Sequence, residues 1–215
     1  MTEGLRERKK RQTRQRISDI ATGLFLERGF AAVTVAEIAE VAEVSVNTVY
    51  NYFPVKEDLF LDRMEGVTHR LARMIRGRDP GESAAGAVLR EIRGHVTAVS
   101  PAYGLMEGFA DFMRVIDDAP TLKARLFYLQ QEVRDATVAA LREETGAAPD
   151  DPMPLLVGGQ ITWIQHTVIT FVTERMVAGG RANEVSREAL DLLDDIEELL
   201  SDAVLDYAVR APAGA

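Results

Sequence analysis

The sequence predicts an all-α protein with a three-helix, helix-turn-helix unit at its N-terminal end and a larger helical part behind it. Three observations carry that expectation. Apolar residues recur at spacings of three and four in segment after segment, with no alternating pattern of useful length, no repeat and no low-complexity stretch. The helical patterns are punctuated by short breaker-rich runs such as Gly77-Arg-Asp-Pro-Gly-Glu82. Residues 34–53 read as two short helices joined by a tight turn, each with its own start signal.

The first of those helices is announced by Thr34 standing three residues before Glu37, the pairing in which a hydroxyl and a carboxylate satisfy each other's orphan backbone donors. Ser45 can cap the second. Ile38, Ala39 and Ala42 share one face of the first helix, and Val46, Val49, Tyr50 and Phe53 recur along the second. Two helices this short cannot bury a core alone. An upstream helix from about Arg14 to Arg28, with Ile17, Ile20, Ala21, Leu24 and Phe25 on one face and Gly29 as its expected left-handed cap, supplies the third. In such a unit the second helix of the motif enters the major groove and the first lies across the phosphate backbone.

Pro54 breaks the motif, and Lys56 opens a helix whose Leu59, Phe60, Met64, Val67, Leu71 and Ile75 mark one stripe. At 1.5 Å per residue that stretch would be about 30 Å long. Beyond the 77–82 run come a helix through Val88, Ile92, Val96 and Val99, and another from Leu105 to Ile116. A longer one runs from Leu122 towards Gly146, and an almost wholly apolar one from Leu155 to Val177. A last helix is expected over Ser186–Val209. Its Leu190, Leu193, Ile196, Leu200, Val204 and Tyr207 stripe is widened by Leu192 and Leu199, which suits either a central core helix or one that faces a partner.

Net charge is −9, but it is unevenly spread: residues 1–56 carry +2 and the remainder −11. Arg6, Arg8, Lys9, Lys10, Arg11, Arg14 and Arg16 stand against only Glu3 and Glu7 just ahead of the motif, as expected when one end meets phosphate. The chain has no cysteine, which removes disulfides and thiolate chemistry and suits a reducing, cytoplasmic location. No run of eighteen apolar residues and no N-terminal apolar stretch supports membrane spanning or export.

From Thr34 to Leu59 the pattern Thr-x-x-x-Ile-Ala, Ala-x-Val-Ser and Thr-Val-Tyr-x-Tyr-Phe-Pro-x-Lys-Glu-Asp-Leu resembles the TetR family of transcriptional regulators. That resemblance implies a DNA-binding domain over residues 1–55 and a helical effector-binding and dimerisation domain over residues 56–215. It implies a homodimer on an inverted-repeat operator in double-stranded DNA, built from the last two helices as a four-helix bundle. One departure stands out: the family usually has glycine in the turn where this chain has Glu43.

Carried over by position, Val46, Asn47, Thr48, Tyr50 and Asn51 face the groove, where asparagine can bond adenine at two points and Val, Tyr and the Thr methyl can pack on thymine methyls. For Val46 and Tyr50, simple packing is the alternative. Tyr52 and Lys56 match positions that touch phosphate, and Thr34 and Arg14 complete the set expected to meet DNA. A small-molecule effector is expected among Phe109, Phe112, Met113, Phe127, Trp163 and His166, an aromatic and methionine set that suits a mostly apolar pocket and equally suits a core.

No enzyme constellation is visible. His69, His95 and His166 lack second ligands at helical spacing and read as surface or core residues, so neither a metal nor another cofactor is expected. Gly158-Gly159 lacks phosphate-loop context and reads as close helix packing. The competing readings are an effector-insensitive architectural DNA-binding protein and a helical enzyme or carrier with an appended DNA-binding fold.

Overall fold

Arg, Lys and Gln are good helix formers, and in the computed structural model, which describes residues 4–62 and 68–211, the basic N-terminal run is part of the first helix. α1 spans Leu5–Arg28 instead of starting near Arg14. It stops at Gly29, whose N–H bonds the Phe25 carbonyl and whose φ of 82° and ψ of 154° lie outside the left-handed helical region expected there, in a region open essentially to glycine alone. α2 (Val35–Val41), α3 (Val46–Tyr52) and α4 (Lys56–Leu61) follow. The chain continues through α5 (Arg70–Arg76), α6 (Ala84–Thr97), α7 (Phe109–Asp117), α8 (Pro120–Thr145), α9 (Met153–Val177), α10 (Ala182–Leu199) and α11 (Asp202–Leu205).

Contacts group the chain into two compact units, one of residues 1–65 and 111–127, the other of residues 66–110 and 128–215. The motif-based division at 55/56 follows the helix-turn-helix sequence pattern, whereas packing groups α4 with α1. In the first unit Ile17, Ala21 and Phe25 of α1, Ile38 and Ala39 of α2, Val49 of α3 and Leu59 and Phe60 of α4 are buried. Phe25 meets Phe60 edge-on at 5.8 Å, and Phe60 stacks on Phe112 at 4.4 Å.

The second unit is organised around α6, which packs on α5, α9 and α10, with α9 also against α10. Its core includes Leu71, Ile75, Val88, Ile92, Leu141, Ile161, Val168 and Leu193. At Gly158 α9 packs tightly on α8: a Cβ there would lie 2.8 Å from a Val138 methyl, so packing does explain this glycine. By length and composition alone α9 could cross a membrane, yet its Val157, Ile161, Ile164, Val168 and Val172 form part of this core, as in the central helix of a globular domain.

Three further helices depart from expectation. The stripe predicted over residues 56–75 is split, since residues 68–69 form a turn and His69 caps α5 with φ −104° and ψ 8°. Leu59 and Phe60 are buried in the first unit and Leu71 and Ile75 in the second, so the two ends of the stripe serve different cores. Met64 and Val67 lie outside the described residues. α7 begins at Phe109, not Leu105, after a 3-10 turn over Pro101–Tyr103. The last predicted helix ends at Leu199, where Leu200 and Ser201 turn extended and the chain folds back. Gly81 N–H then bonds the Arg210 carbonyl (2.8 Å) and Arg210 N–H the Glu82 carbonyl (3.0 Å). These backbone bonds, which periodicity does not encode, hold the returning C-terminal segment in place.

Beneath this return lies Arg78, whose side chain is nearly inaccessible to water. It donates to the Ala208 carbonyl (2.8 Å), the Ile75 carbonyl (2.6 Å) and the Glu144 carboxylate (2.7 Å). One guanidinium thereby ties together α5, α8 and the C-terminal return.

Candidate nucleic-acid interface and effector region

Each helix of the motif is held by its predicted cap. The Thr34 hydroxyl accepts from Glu37 N–H (3.2 Å) while the Glu37 carboxylate accepts from Thr34 N–H (2.7 Å). The Ser45 hydroxyl accepts from Thr48 N–H (3.0 Å) and lies 2.8 Å from the Thr48 hydroxyl. Between them α2 ends in a Schellman arrangement, with Val44 N–H on the Ala39 carbonyl and Glu43 N–H on the Glu40 carbonyl. The residue at its left-handed position is Glu43, with φ of 52°. A non-glycine residue there costs on the order of 1 kcal/mol, partly offset by the greater unfolded-state freedom of glycine. Glu43→Gly is therefore expected to stabilise the protein by about 0.5–1 kcal/mol in urea unfolding. A destabilised variant would mean that the turn is not strained.

The Glu37 carboxyl is held at about 2, below its ordinary 4.5, first by the Thr34 N–H and then by the Arg28 guanidinium at 2.9 Å. Because the folded value is the lower one, this stabilisation is present in full above about 4.5 and is lost as pH falls through about 2. Melting temperature followed across that window should fall for the natural chain more than for Glu37→Gln, which keeps the reciprocal cap without the charge. Parallel curves would remove Glu37 as the cause.

α3 rests on Val49 and Phe53, both essentially inaccessible to water, and turns Val46, Asn47, Tyr50 and Asn51 outward. Val46 and Tyr50, for which core packing was the alternative, are 38% and 47% exposed. Thr48 is half-buried with its hydroxyl at the Ser45 cap, and Thr34 is exposed at the start of α2. Tyr52 is half-buried beside Phe53.

Two basic residues expected at phosphate are anchored within the unit. Arg14 pairs with Asp62 through two nitrogens (2.9 and 2.7 Å), donates to the Tyr52 carbonyl (3.3 Å) and lies over the Phe53 ring. Lys56 donates to the Phe30 carbonyl (2.6 Å) and sits over the Phe30 and Phe25 rings at 4.3 and 5.5 Å, where burial pushes its pKa down. An ammonium has three donors, so one bond to a carbonyl leaves two for another acceptor. Neither anchor was legible in spacing, because the partners stand 48 and 26 residues away. Arg6, Arg8, Lys9, Lys10, Arg11 and Arg16 project from α1 into solvent.

The six candidate effector residues are divided between the units. Phe112, Met113 and Phe127 belong to the first; Phe109, Trp163 and His166 belong to the second. Phe109 packs half-buried on the second core, whereas Phe127, Trp163 and His166 are exposed. None of the six lines a cavity of about 420 Å³ that lies between α5 and α6 in the second unit. Arg70, Arg73, Met74 and Gly77 border it from α5, and Arg90, Glu91 and His95 from α6. Of these lining residues sequence reasoning singled out only His95, because it searched for aromatic and methionine faces.

Residues 17–62 match the family model described as bacterial regulatory proteins, tetR family. The HTH-type transcriptional regulator TcmR of Streptomyces glaucescens is 29% identical over 156 residues, covering 69% of this chain and 67% of that protein. The regulator AcrR of Shigella flexneri is 34% identical over 88 residues, 40% of each chain. Among solved structures, a SmeT–triclosan complex superposes with a TM-score of 0.55 at 18% identity, over 90% of this chain and 94% of that one. NalD, described as the secondary repressor of the MexAB-OprM multidrug efflux pump in Pseudomonas aeruginosa, superposes with a TM-score of 0.53 at 16% identity, over 86% of this chain and 96% of its own.

Proposed function

Because the chain belongs to the TetR family of DNA-binding transcriptional regulators, we propose that it is a cytoplasmic, homodimeric repressor released from its operator by a small hydrophobic effector. In this reading residues 1–55 bind an inverted-repeat operator and residues 56–215 bind effector and partner. The observation that carries the DNA-reading part is the outer face of α3, where Val46, Asn47, Tyr50 and Asn51 stand exposed on a helix capped at Ser45 and seated on Val49 and Phe53. The exposed basic face of α1 supplies the sequence-independent attraction. NalD as a repressor and SmeT with triclosan support the effector part.

No arginine or lysine stands on the outer face of α3, so the preferred sites are expected to be read chiefly at A·T pairs. Asn47→Ala should weaken operator binding by about 1–3 kcal/mol and leave random DNA almost unaffected. The measurement is a titration of labelled operator and of random duplex at fixed salt, repeated with a metabolite extract. Equal losses on both duplexes would reject Asn47 as a base reader. Release by no metabolite fraction would favour the architectural reading.

A further inference from the structure

We propose that the free N-terminal turns of α1, residues 6–16, grip the phosphate backbone of DNA outside the base pairs that α3 reads. α1 is one continuous helix from Leu5 to Arg28, yet its burial begins only at Ile17. From Arg6 to Arg16 every residue is exposed except the half-buried Thr13 and Arg14, so roughly 16 Å of helix stands clear of the motif's core. That stretch carries seven cationic side chains against Glu7 alone. Like charges three and four residues apart, as in Arg6–Lys9 and Arg6–Lys10, repel along a helix. A row of phosphates alongside turns the same charges into attraction.

The point where this stretch leaves the core ties it to DNA in particular among polyanions. Arg14, at the junction, donates to the Tyr52 carbonyl at the C-terminal end of α3 and lies 4.8 Å over the Phe53 ring, while Asp62 at the end of α4 pairs with the same guanidinium. With α3 in its groove, the free turns begin beside one end of the reading helix, where the nearest phosphates belong to the same duplex. An α-helix with its side chains is about 10–12 Å across, too wide for a minor groove of about 6 Å. The major groove at that end is taken by α3, so the contact is with backbone phosphates and carries no base preference. Arg6 and Lys10 stand one turn apart on one side of α1, and Lys9 and Arg16 two turns apart on another. About two cations therefore meet phosphate whichever side lies against the duplex, and at about 3.4 Å per base pair the stretch spans about five base pairs.

This contact rests on the DNA-reading proposal and extends it beyond the bases that α3 touches. The probe is the duplex that the full chain selects from a randomised library, either trimmed to its preferred base pairs or extended on each side by mixed sequence longer than the free turns. Dissociation constants are measured by fluorescence anisotropy across a sodium chloride series, for the natural chain and for the full chain carrying R6Q, R8Q, K9Q and K10Q together. Glutamine keeps the helix propensity at these exposed positions and removes the charge. At about 0.1 M salt the natural chain should bind the extended duplex at least about fivefold more tightly than the trimmed one. The variant should bind both alike, with a salt slope on the extended duplex shallower by about two units per protomer and an unchanged preference for selected over scrambled sequence. Equal affinity of the natural chain for the two duplexes, or a gain from the flanks that survives in the variant, would overturn the contact and leave the reading by α3 intact. A selected duplex bound no more tightly than a scrambled one would overturn both.

Discussion

Glutamate at both Leu156 and Trp163 is expected to leave the chain folded but monomeric, and to lower operator affinity by at least about 100-fold. On α9 the residues Val157, Ile161, Ile164, Val168 and Val172 face the core, while Leu155, Leu156, Trp163 and Val177 remain exposed on the helix, with Leu156 at 59% and Trp163 at 41%. A helix apolar on both sides has one face left to cover, and a second copy of this helix pair would cover it in the proposed dimer. A buried charge without a partner at such a contact costs several kcal/mol, and tryptophan is among the residues that dominate interface energy. In the monomer the same substitutions lie in water and cost little.

The choice of positions matters. Leu193, which the sequence stripe offers as an interface residue, is fully buried in the core of the second unit, so glutamate there would report unfolding instead of dissociation. Sedimentation velocity across a concentration series, with circular dichroism as the control for folding, separates the two outcomes. A double variant that sediments like the natural chain would place the dimer contact elsewhere.

Arg78→Ala is expected to destabilise the second unit by about 3 kcal/mol, the lower end of the range for removing one member of a buried ion pair. The lower end applies because Glu144 retains some contact with water. The loss has three parts: the carbonyls of Ala208 and Ile75 each lose a donor, and Glu144 loses its counterion. Arg78→Lys should fall between, since one ammonium on a shorter reach cannot serve three acceptors set for a guanidinium fork. The chain has a single tryptophan, Trp163, and it lies in this unit, so its fluorescence follows urea unfolding of this unit directly. A midpoint shift equivalent to less than about 1 kcal/mol would show that the clamp contributes little.

The motif and the outward face of its second helix were legible before any coordinates because the forces that shape them are local. A cap needs a hydroxyl and an N–H three residues apart, as at Thr34 and Ser45. A left-handed turn residue can be suspected from one missing glycine, and Glu43 indeed has positive φ. Outward and inward faces follow from 3.6 residues per turn, which set Val49 and Phe53 inside and Asn47 and Asn51 outside.

By itself, then, the sequence determined the helical class, the capped helix-turn-helix and the set of residues on the outer face of α3. Tertiary structure alone decided that the 56–75 stripe breaks in two, that α10 stops at Leu199, and that Arg14, Lys56 and Arg78 are anchored on Asp62, Phe30 and Glu144. It alone drew Arg70, Arg73 and Arg90 around one cavity. The physical reason is range: hydrogen bonds between residues three or four apart are written in local spacing. A long cationic side chain instead chooses its partner from whatever carbonyl or carboxylate packing brings near, often dozens of residues away.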